Sequence, residues 1–162
     1  MRKTLKWTGI VILVIGLGIQ LRQPDRSNPA MDESKTIYAS MNVPPEVKSV
    51  FERACNDCHS NQTRWPWYSY IAPASWLVGE DVAQGRRHLN LSTWGEYKEN
   101  RKLNKLEEIR DQVKDQVMPP KKYLLLHPSA RLSAADIDLI ASWADKEHGR
   151  LSEPDSTGGE KK

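Results

Sequence analysis

The chain has 162 residues and only two cysteines, Cys55 and Cys58, which lie together in the stretch CNDCH. All thiol chemistry is therefore confined to one place. The sequence lacks a βαβ pattern, the usual setting of a thiol–disulfide redox centre, and shows no convincing alternation typical of strands. A zinc site would need a second, distant pair of ligands, but the other three histidines are scattered: His88, His127 and His148.

Excess basic charge is absent from most of the chain. The formal net charge is +3, but residues 1–22 contain four basic residues and no acidic one. The other 140 residues carry 20 basic and 21 acidic side chains, a net charge of −1 (24 − 4 − 21). A nucleic-acid-binding domain needs a basic patch on its folded part. Nucleic acid is therefore not expected as a partner.

An apolar run from Trp7 to Leu21 follows the basic N-terminal residues. Its 15 residues suit a signal-peptide core or a marginal membrane span, since about 20 are usual for a full crossing. No small-residue cleavage motif follows in GIQLRQPD, which favours an uncleaved anchor. Basic residues before the run favour a cytoplasmic N-terminus. The sequence therefore predicts an inner-membrane anchor over residues 1–22, with the rest of the chain in the periplasm.

Three further segments are predicted after the anchor. Residues 23–41 are rich in turn formers without a hydrophobic period, which indicates a linker. Residues 42–148 carry helical patterns and form the predicted folded domain, with one or two short helices expected over residues 65–94. Residues 149–162 have the composition of a disordered tail. The absence of strand patterns predicts an all-α domain.

Three amphipathic helices are predicted within this domain. The first follows VPPE and leads into Cys55, with an apolar stripe formed by Val47, Val50, Phe51 and Ala54. The second covers about residues 96–117 and ends where Met118 precedes two prolines. The third opens at Ser133 with the capping box SAAD and is expected to end near His148 and Gly149.

The stretch CNDCH fits the covalent attachment of a c-type haem. Two thiols three residues apart at the end of a helix can reach the two vinyl groups on one porphyrin edge. His59, directly after the second thiol, then lies below the ring, where its imidazole can bind iron. The expected export agrees, because c-type maturation occurs outside the cytoplasm. A thiol–disulfide centre, a zinc site and a structural disulfide stay open, although a bridge closing so short a loop gains little entropy.

Met118 is the candidate for the second axial ligand of the iron. It ends a helix, precedes two prolines that would stiffen its loop, and lies 59 residues after His59. A thioether is a soft ligand that raises the reduction potential. The alternatives are a core-filling role for Met118, and His127 or His88 as the ligand. The order of helix, CxxCH, methionine loop and terminal helix resembles the mono-haem cytochrome c fold.

Residues 43–145 also resemble a protein family that is narrower than the mono-haem cytochromes c. The segment CNDCHSNQTRWPWYSYIAPASWLVGEDVAQGRRHLNLSTW, followed by MPP..Y..LHP.A.LS, is similar to the bacterial haem-binding domain family that carries a single CxxCH. The resemblance implies haem binding in a periplasmic setting, without a specific reaction. It implies that Cys55 and Cys58 form the two thioethers to one haem c and that His59 is the proximal ligand. Met118 falls on the MPP segment of the family, with its role inferred from cytochromes c generally.

The aromatic and basic residues after CNDCH supply candidates for the haem propionates. Arg64, Arg86 or Arg87 could make charge-assisted contacts to a propionate, and the indole N–H of Trp65 could donate a hydrogen bond. The alternatives are that the arginines form a solvated face and that Trp65 packs in the core of a small domain.

These observations predict an exported, membrane-tethered electron carrier with His/Met ligation, which exchanges one electron with redox proteins of the periplasm or membrane. The pattern favours a carrier over an enzyme, because no closely spaced distal pair is present beyond Arg87-His88. Two alternatives stay open. One is a peroxidase or a gas or redox sensor with a displaceable sixth ligand, and the other is a haem-binding subunit of a larger membrane complex.

Overall fold

The computed structural model describes residues 2–153, and every regular element in that range is helical. The all-α prediction is confirmed. The α-helices are α1 (Arg2–Ile19), α2 (Ile37–Ser40), α3 (Pro45–Ala54), α4 (Asn56–His59), α5 (Ala74–His88), α6 (Glu99–Lys114), α7 (Lys121–Leu124) and α8 (Ala134–Ser152). Short 3₁₀ helices lie at Glu33–Lys35, Trp67–Tyr70, Leu91–Glu96 and Pro128–Ala130.

Two of the predicted helices differ from expectation at their ends. Helix α6 ends at Lys114, three residues early, because Gln116 takes a left-handed backbone conformation with φ 54° that stops the helix. Helix α8 continues past His148 and Gly149 to Ser152, so the predicted end there is wrong. Gly149 does not adopt a positive φ and therefore does not cap the helix. Residues 149–152 of the predicted tail are therefore helical, and the rest of that prediction, residues 154–162, lies outside the described range.

The core forms where α3, α6 and α8 meet the chain around α2 and the Leu91–Glu96 turn. Helices α6 and α8 pack most extensively against each other. Phe51 of α3 meets Trp143 of α8 edge to face, with ring centroids 5.4 Å apart, and the Trp143 indole donates to the Asn42 carbonyl at 2.9 Å. Each such large apolar side chain contributes roughly 1.5–3 kcal/mol on burial. Val47, Val50 and Phe51 of the stripe predicted for α3 are buried in this core.

The segment predicted as a linker is largely part of the domain. Ile37 is fully buried and Met41 nearly so, and both belong to the core. Asp32 and Thr36 cap the short helices that follow them, accepting hydrogen bonds from the backbone N–H groups of Ser34 and Ala39. Composition suggested a linker because caps and turn formers are polar, whereas few apolar residues of the segment reach the core: Ile37 and Met41 lie within it and Tyr38 packs against it.

The N-terminal helix α1 buries none of its side chains against the rest of the protein. Among residues 2–153, no helix is both long enough and apolar enough to cross a membrane. This finding corrects the transmembrane helix expected over residues 1–22: three of the 18 residues of α1 are basic, namely Arg2, Lys3 and Lys6.

Arg53 links the end of α3 to the start of α8 through an ion pair and backbone hydrogen bonds. Its guanidinium lies 2.7 Å from the Asp136 carboxylate and donates to the carbonyls of Ser129 and Arg131. Asp136 also accepts from the backbone and hydroxyl of Ser133, which completes the predicted capping box. Burial alone would raise the pKa of Asp136, but the bonds from Arg53 and Ser133 outweigh it and hold that pKa below its ordinary value.

We expect Asp136→Ala to lower the free energy of unfolding by about 1–2 kcal/mol, because it removes a cap and a half-buried ion pair. The exposed Asp138 of the same helix is the control, and its alanine variant should stay within about 0.5 kcal/mol of wild type. Since the folded pKa of Asp136 is depressed, its contribution is present above pH 3.8 and lost as the pH falls below that value. Urea titrations at pH 7 and pH 3 measure both effects; equal stability of the two variants would contradict this role.

Candidate functional site

Cys55 follows α3, and Cys58 and His59 lie in the one-turn helix α4 directly after it. The His59 ring nitrogen Nδ1 lies 3.1 Å from the Gly85 carbonyl oxygen and 3.1 Å from that of Leu89. Carbonyl oxygens only accept hydrogen bonds, so Nδ1 carries the proton and the lone pair of Nε2 is free. Burial lowers the pKa of His59, against the opposing effect of the two carbonyls. The imidazole is therefore neutral at pH 7 and oriented as a metal ligand.

Gly85 allows α5 to approach α4 this closely. A Cβ atom added at Gly85 would overlap the Cys58 carbonyl oxygen and lie 3.1 Å from the Cys58 Cβ. Both obstacles are backbone or short side-chain atoms that cannot swing away. The absence of a side chain at Gly85 is therefore a condition for the hydrogen bonds that orient His59.

We expect Gly85→Ala to lower the free energy of unfolding by about 1–3 kcal/mol, because the added methyl group overpacks the α4–α5 contact. Gly149→Ala, in α8, is the matched control, since a Cβ there meets nothing within 4 Å. That substitution should raise the stability by about 0.5–1 kcal/mol through helix propensity. Thermal unfolding of both variants tests the contact, and a Gly85→Ala variant as stable as wild type would contradict it.

The two thiols are free and partly buried. Burial raises the pKa of Cys55 to about 12, with a smaller contribution from Cys58. Burial also raises the pKa of Cys58 to about 11, assisted by the carboxylates of Asp81 and Asp57. Both cysteines are thus protonated thiols at neutral pH, unlike the acidic thiolate of a disulfide exchange centre.

No group of three or more histidine, cysteine or acidic side chains that could hold a metal ion occurs among residues 2–153. The site therefore offers one oriented imidazole and two neutral thiols. This donor set does not form the four-ligand cluster typical of structural zinc.

The segment after Met118 returns to the CNDCH helix. Tyr123 in α7 donates from its hydroxyl to the Asp57 carboxylate at 2.9 Å, and Lys122 reaches Asp81 of α5 at 2.8 Å. The ring of His127 stacks on Tyr123 with centroids 4.0 Å apart. His127 is therefore engaged in packing within its loop.

Met118 itself is half-buried and lines a cavity of about 540 Å³. The lining is mostly apolar and comes from the ends of α6 and α8 and from the loop between them; besides Met118 it includes Val113, Pro119, Leu124, Leu132 and Ile137. The cavity has the size of a typical ligand pocket. Cys55, Cys58 and His59 do not line it, so its link to the motif runs through α7.

Three of the four residues predicted to meet propionates have different surroundings. Arg64 donates to the Asp57 carboxylate at 3.1 Å and is exposed, and Arg87 pairs with Glu80 at 3.3 Å, also exposed. The indole Nε1 of Trp65 is buried and has no hydrogen-bond partner among the described residues. A buried donor without a partner is costly, so Trp65 is the one of the three whose position calls for an acceptor.

Sequence reasoning missed Arg86 as a structural residue. Its guanidinium donates to the carbonyls of Ser60 and Ser27 and to the side chains of Asn28 and Thr63. These bonds hold the segment before α2 against the loop after α4. Gly85 and the carbonyl of Leu89 were also missed; a glycine inside a helical pattern is a sign of close backbone approach, whereas a backbone carbonyl leaves no trace in the sequence.

Comparison with known families decides the class of this site. The haem-binding domain family matches residues 14–146, most of the chain. The chain belongs to the haem-binding domain family. Its two thiols, the free Nε2 of His59 and the unpartnered indole of Trp65 fit a haem. The binding of haem expected from the sequence is thereby supported at the level of the family.

One curated relative is larger than this haem-binding domain protein. The chain is 26% identical over 160 residues to the cytochrome c peroxidase Ccp of Escherichia coli (strain K12). The alignment covers 94% of this chain and 33% of the relative, so the chain spans about a third of that protein. No solved structure matches the chain.

Proposed function

We propose that this haem-binding domain is a c-type cytochrome-like carrier that takes up and releases one electron, with one covalently attached haem and His59 and Met118 as axial ligands. The observation that carries the proposal is the orientation of His59. Its Nδ1 proton is held by the Gly85 and Leu89 carbonyls, which leaves Nε2 free directly behind the two thiols. When bound, the haem supplies an iron that alternates between the ferrous and ferric states.

The protein residues have three tasks in this proposal. Cys55 and Cys58 would hold the haem through two thioethers, each made by addition of a thiol S–H across a vinyl group, with the hydrogen going to the neighbouring vinyl carbon. The two carbonyls fix the plane of the His59 ring, because a bifurcated hydrogen bond resists its rotation. Met118 contributes a thioether from a loop that α7 holds against α4 through Tyr123 and Asp57. Rigid ligands on both sides keep rearrangement on electron transfer small.

The setting of the domain is part of the proposal. The basic start of the chain and the exposed apolar helix α1 support attachment to a membrane surface, with the periplasmic side of the inner membrane as the proposed location. Redox proteins of the periplasm or membrane are the proposed partners, meeting the domain through small, transient contacts.

A second candidate is a direct part in peroxide reduction, favoured by the similarity to a protein named as a cytochrome c peroxidase. In this case Met118 would be displaced and peroxide would reach the iron. The described residues near the motif include Tyr123, His127 and Tyr68 as polar groups. These groups are engaged with each other and with Asp57, so this candidate ranks second.

Absorption spectra and a redox titration of the full-length purified protein test the proposal. We expect a covalent haem that is low-spin in both oxidation states and titrates as a one-electron centre. Hydrogen peroxide should oxidise the reduced protein slowly. A high-spin ferric spectrum with rapid oxidation by peroxide would favour the second candidate, and protein that matures without covalent haem would contradict both.

A further inference from the structure

Five large apolar side chains are exposed within residues 67–77, in the 3₁₀ helix before α5 and in the first turn of α5. They form what we call the aromatic patch: Trp67, Tyr70, Ile71, Trp76 and Leu77. Trp67 is 74% exposed and Leu77 63% exposed. Single exposed apolar residues are ordinary, but clusters of them mark interaction surfaces. Neither the core nor the site of the proposed function uses this patch.

Residues 20–26, which follow α1, contact the aromatic patch and the residues beside it. The Gln20 side-chain amide donates to the Ala72 carbonyl at 3.1 Å and accepts from the Ala72 N–H at 2.9 Å. The indole of Trp76 donates to the Arg22 carbonyl, and Arg26 lies over the ring of Tyr70, 4.5 Å from its centroid. The end of α1 therefore sits beside the patch, held by side chains and not by a free linker.

These contacts join the patch to a longer apolar surface. Helix α1 exposes its apolar residues on all sides, among them Ile12, Leu13 and Val14, and buries none of them. Tryptophan and tyrosine favour the headgroup layer of a bilayer, where an apolar ring and a polar handle are both satisfied. Arg2, Lys3 and Lys6 at the start of α1, and Arg22 three residues after its end, suit anionic headgroups. A lipid bilayer is thus the partner whose chemistry matches both α1 and the aromatic patch.

We propose that the aromatic patch lies in the headgroup layer of the same bilayer that takes up α1, so that the domain is docked on the membrane in one orientation. This inference rests on the membrane attachment proposed above but does not depend on the haem chemistry. Gly85, which orients His59, lies nine residues after Trp76 on α5, roughly 14 Å along the helix axis. Docking at the patch would therefore fix the height of the site above the lipid.

Hydrogen exchange of the full-length holoprotein tests this docking, with and without vesicles of phosphatidylcholine and phosphatidylglycerol. We expect protein that floats with the vesicles, and exchange of the residue 67–77 amides slowed about tenfold or more, with residues 99–104 at the start of α6 unchanged. Trp67→Ser and Leu77→Ser should each reduce that protection and weaken vesicle binding several-fold. Val117→Ser is the matched control, since Val117 is 51% exposed after the end of α6, a helix that packs on α8, and it should bind like wild type.

The outcomes separate the two proposals. If wild-type protein does not float with vesicles, the membrane attachment fails and the docking fails with it. If it floats but exchange over residues 67–77 is unchanged, α1 binds lipid alone and the docking is overturned. Protection of residues 67–77 that depends on protein concentration without vesicles would also overturn it, by making a second copy of the chain the occupant.

Discussion

Replacing Cys55 and Cys58 together with alanine is expected to abolish covalent haem and to leave a poorly helical, unstable protein. The haem would be the largest apolar element of a small domain, whose core is otherwise marginal. An attached haem would stay on the unfolded chain, so it would stabilise the folded state through the apolar surface that is buried only there, at roughly 25 cal/mol per Å². Mass spectrometry of the intact chain and far-ultraviolet circular dichroism measure the two effects.

The single variants are the controls for the loss of both thiols. Cys55→Ala and Cys58→Ala each keep one thioether, so each should retain haem mass and most of the helix content. They should differ from wild type in the position of the visible absorption bands, because one vinyl group stays unsaturated. A haem-free double variant with native helix content would show that the domain does not need the haem to fold.

Met118→Ala is expected to change the spectrum, the reduction potential and the ligand reactivity together. With Met118 as sixth ligand, the oxidised protein is low-spin and shows the weak far-red band of methionine sulfur on ferric haem. The alanine variant should lose this band, bind cyanide or azide, and have a potential lower by about 0.1–0.2 V, within the ~0.8 V range that axial ligands span. Absorption spectra, ligand titration and potentiometry measure these changes.

Two further variants make the Met118 assignment specific. Met118→His should stay six-coordinate and still have a lower potential, if the loop before Pro119 lets the imidazole reach the iron. His127→Ala should leave the spectrum nearly unchanged, because the His127 ring is stacked on Tyr123. A far-red band that survives Met118→Ala, or a high-spin wild-type spectrum, would overturn the assignment and favour the second candidate function, peroxide reduction.

Much of the fold could be predicted because it depends on local patterns. The stripe of Val47, Val50 and Phe51 specifies the buried face of α3, and Ser133 with Asp136 specifies the start of α8. Both signals lie within a few residues of chain, where helical period and capping chemistry act. Helix ends were less predictable: Gln116 stopped α6 early through its own backbone conformation, whereas Gly149 did not stop α8.

The contribution of residues 23–41 could not be predicted in this way. Ile37 and Met41 lie in a mostly polar segment, and no hydrophobic period marks them as core. Their burial depends on contacts with residues about fifty or more positions away, in the Leu91–Glu96 turn. Arg86 similarly joins Ser27 to Ser60 by bonds between distant parts of the chain.

The sequence by itself determined the chemistry of the site: two thiols and an imidazole at the spacing of CNDCH, because three groups within five consecutive residues are held together by the local chain. The tertiary structure decided how that imidazole is held. The Gly85 and Leu89 carbonyls come from α5 and the residue after it, 26 and 30 positions beyond His59. Because every residue has a backbone carbonyl, this role cannot be predicted from residue type. Only the packing of α5 on α4, which Gly85 permits, places these carbonyls at Nδ1 and so leaves Nε2 free as a ligand.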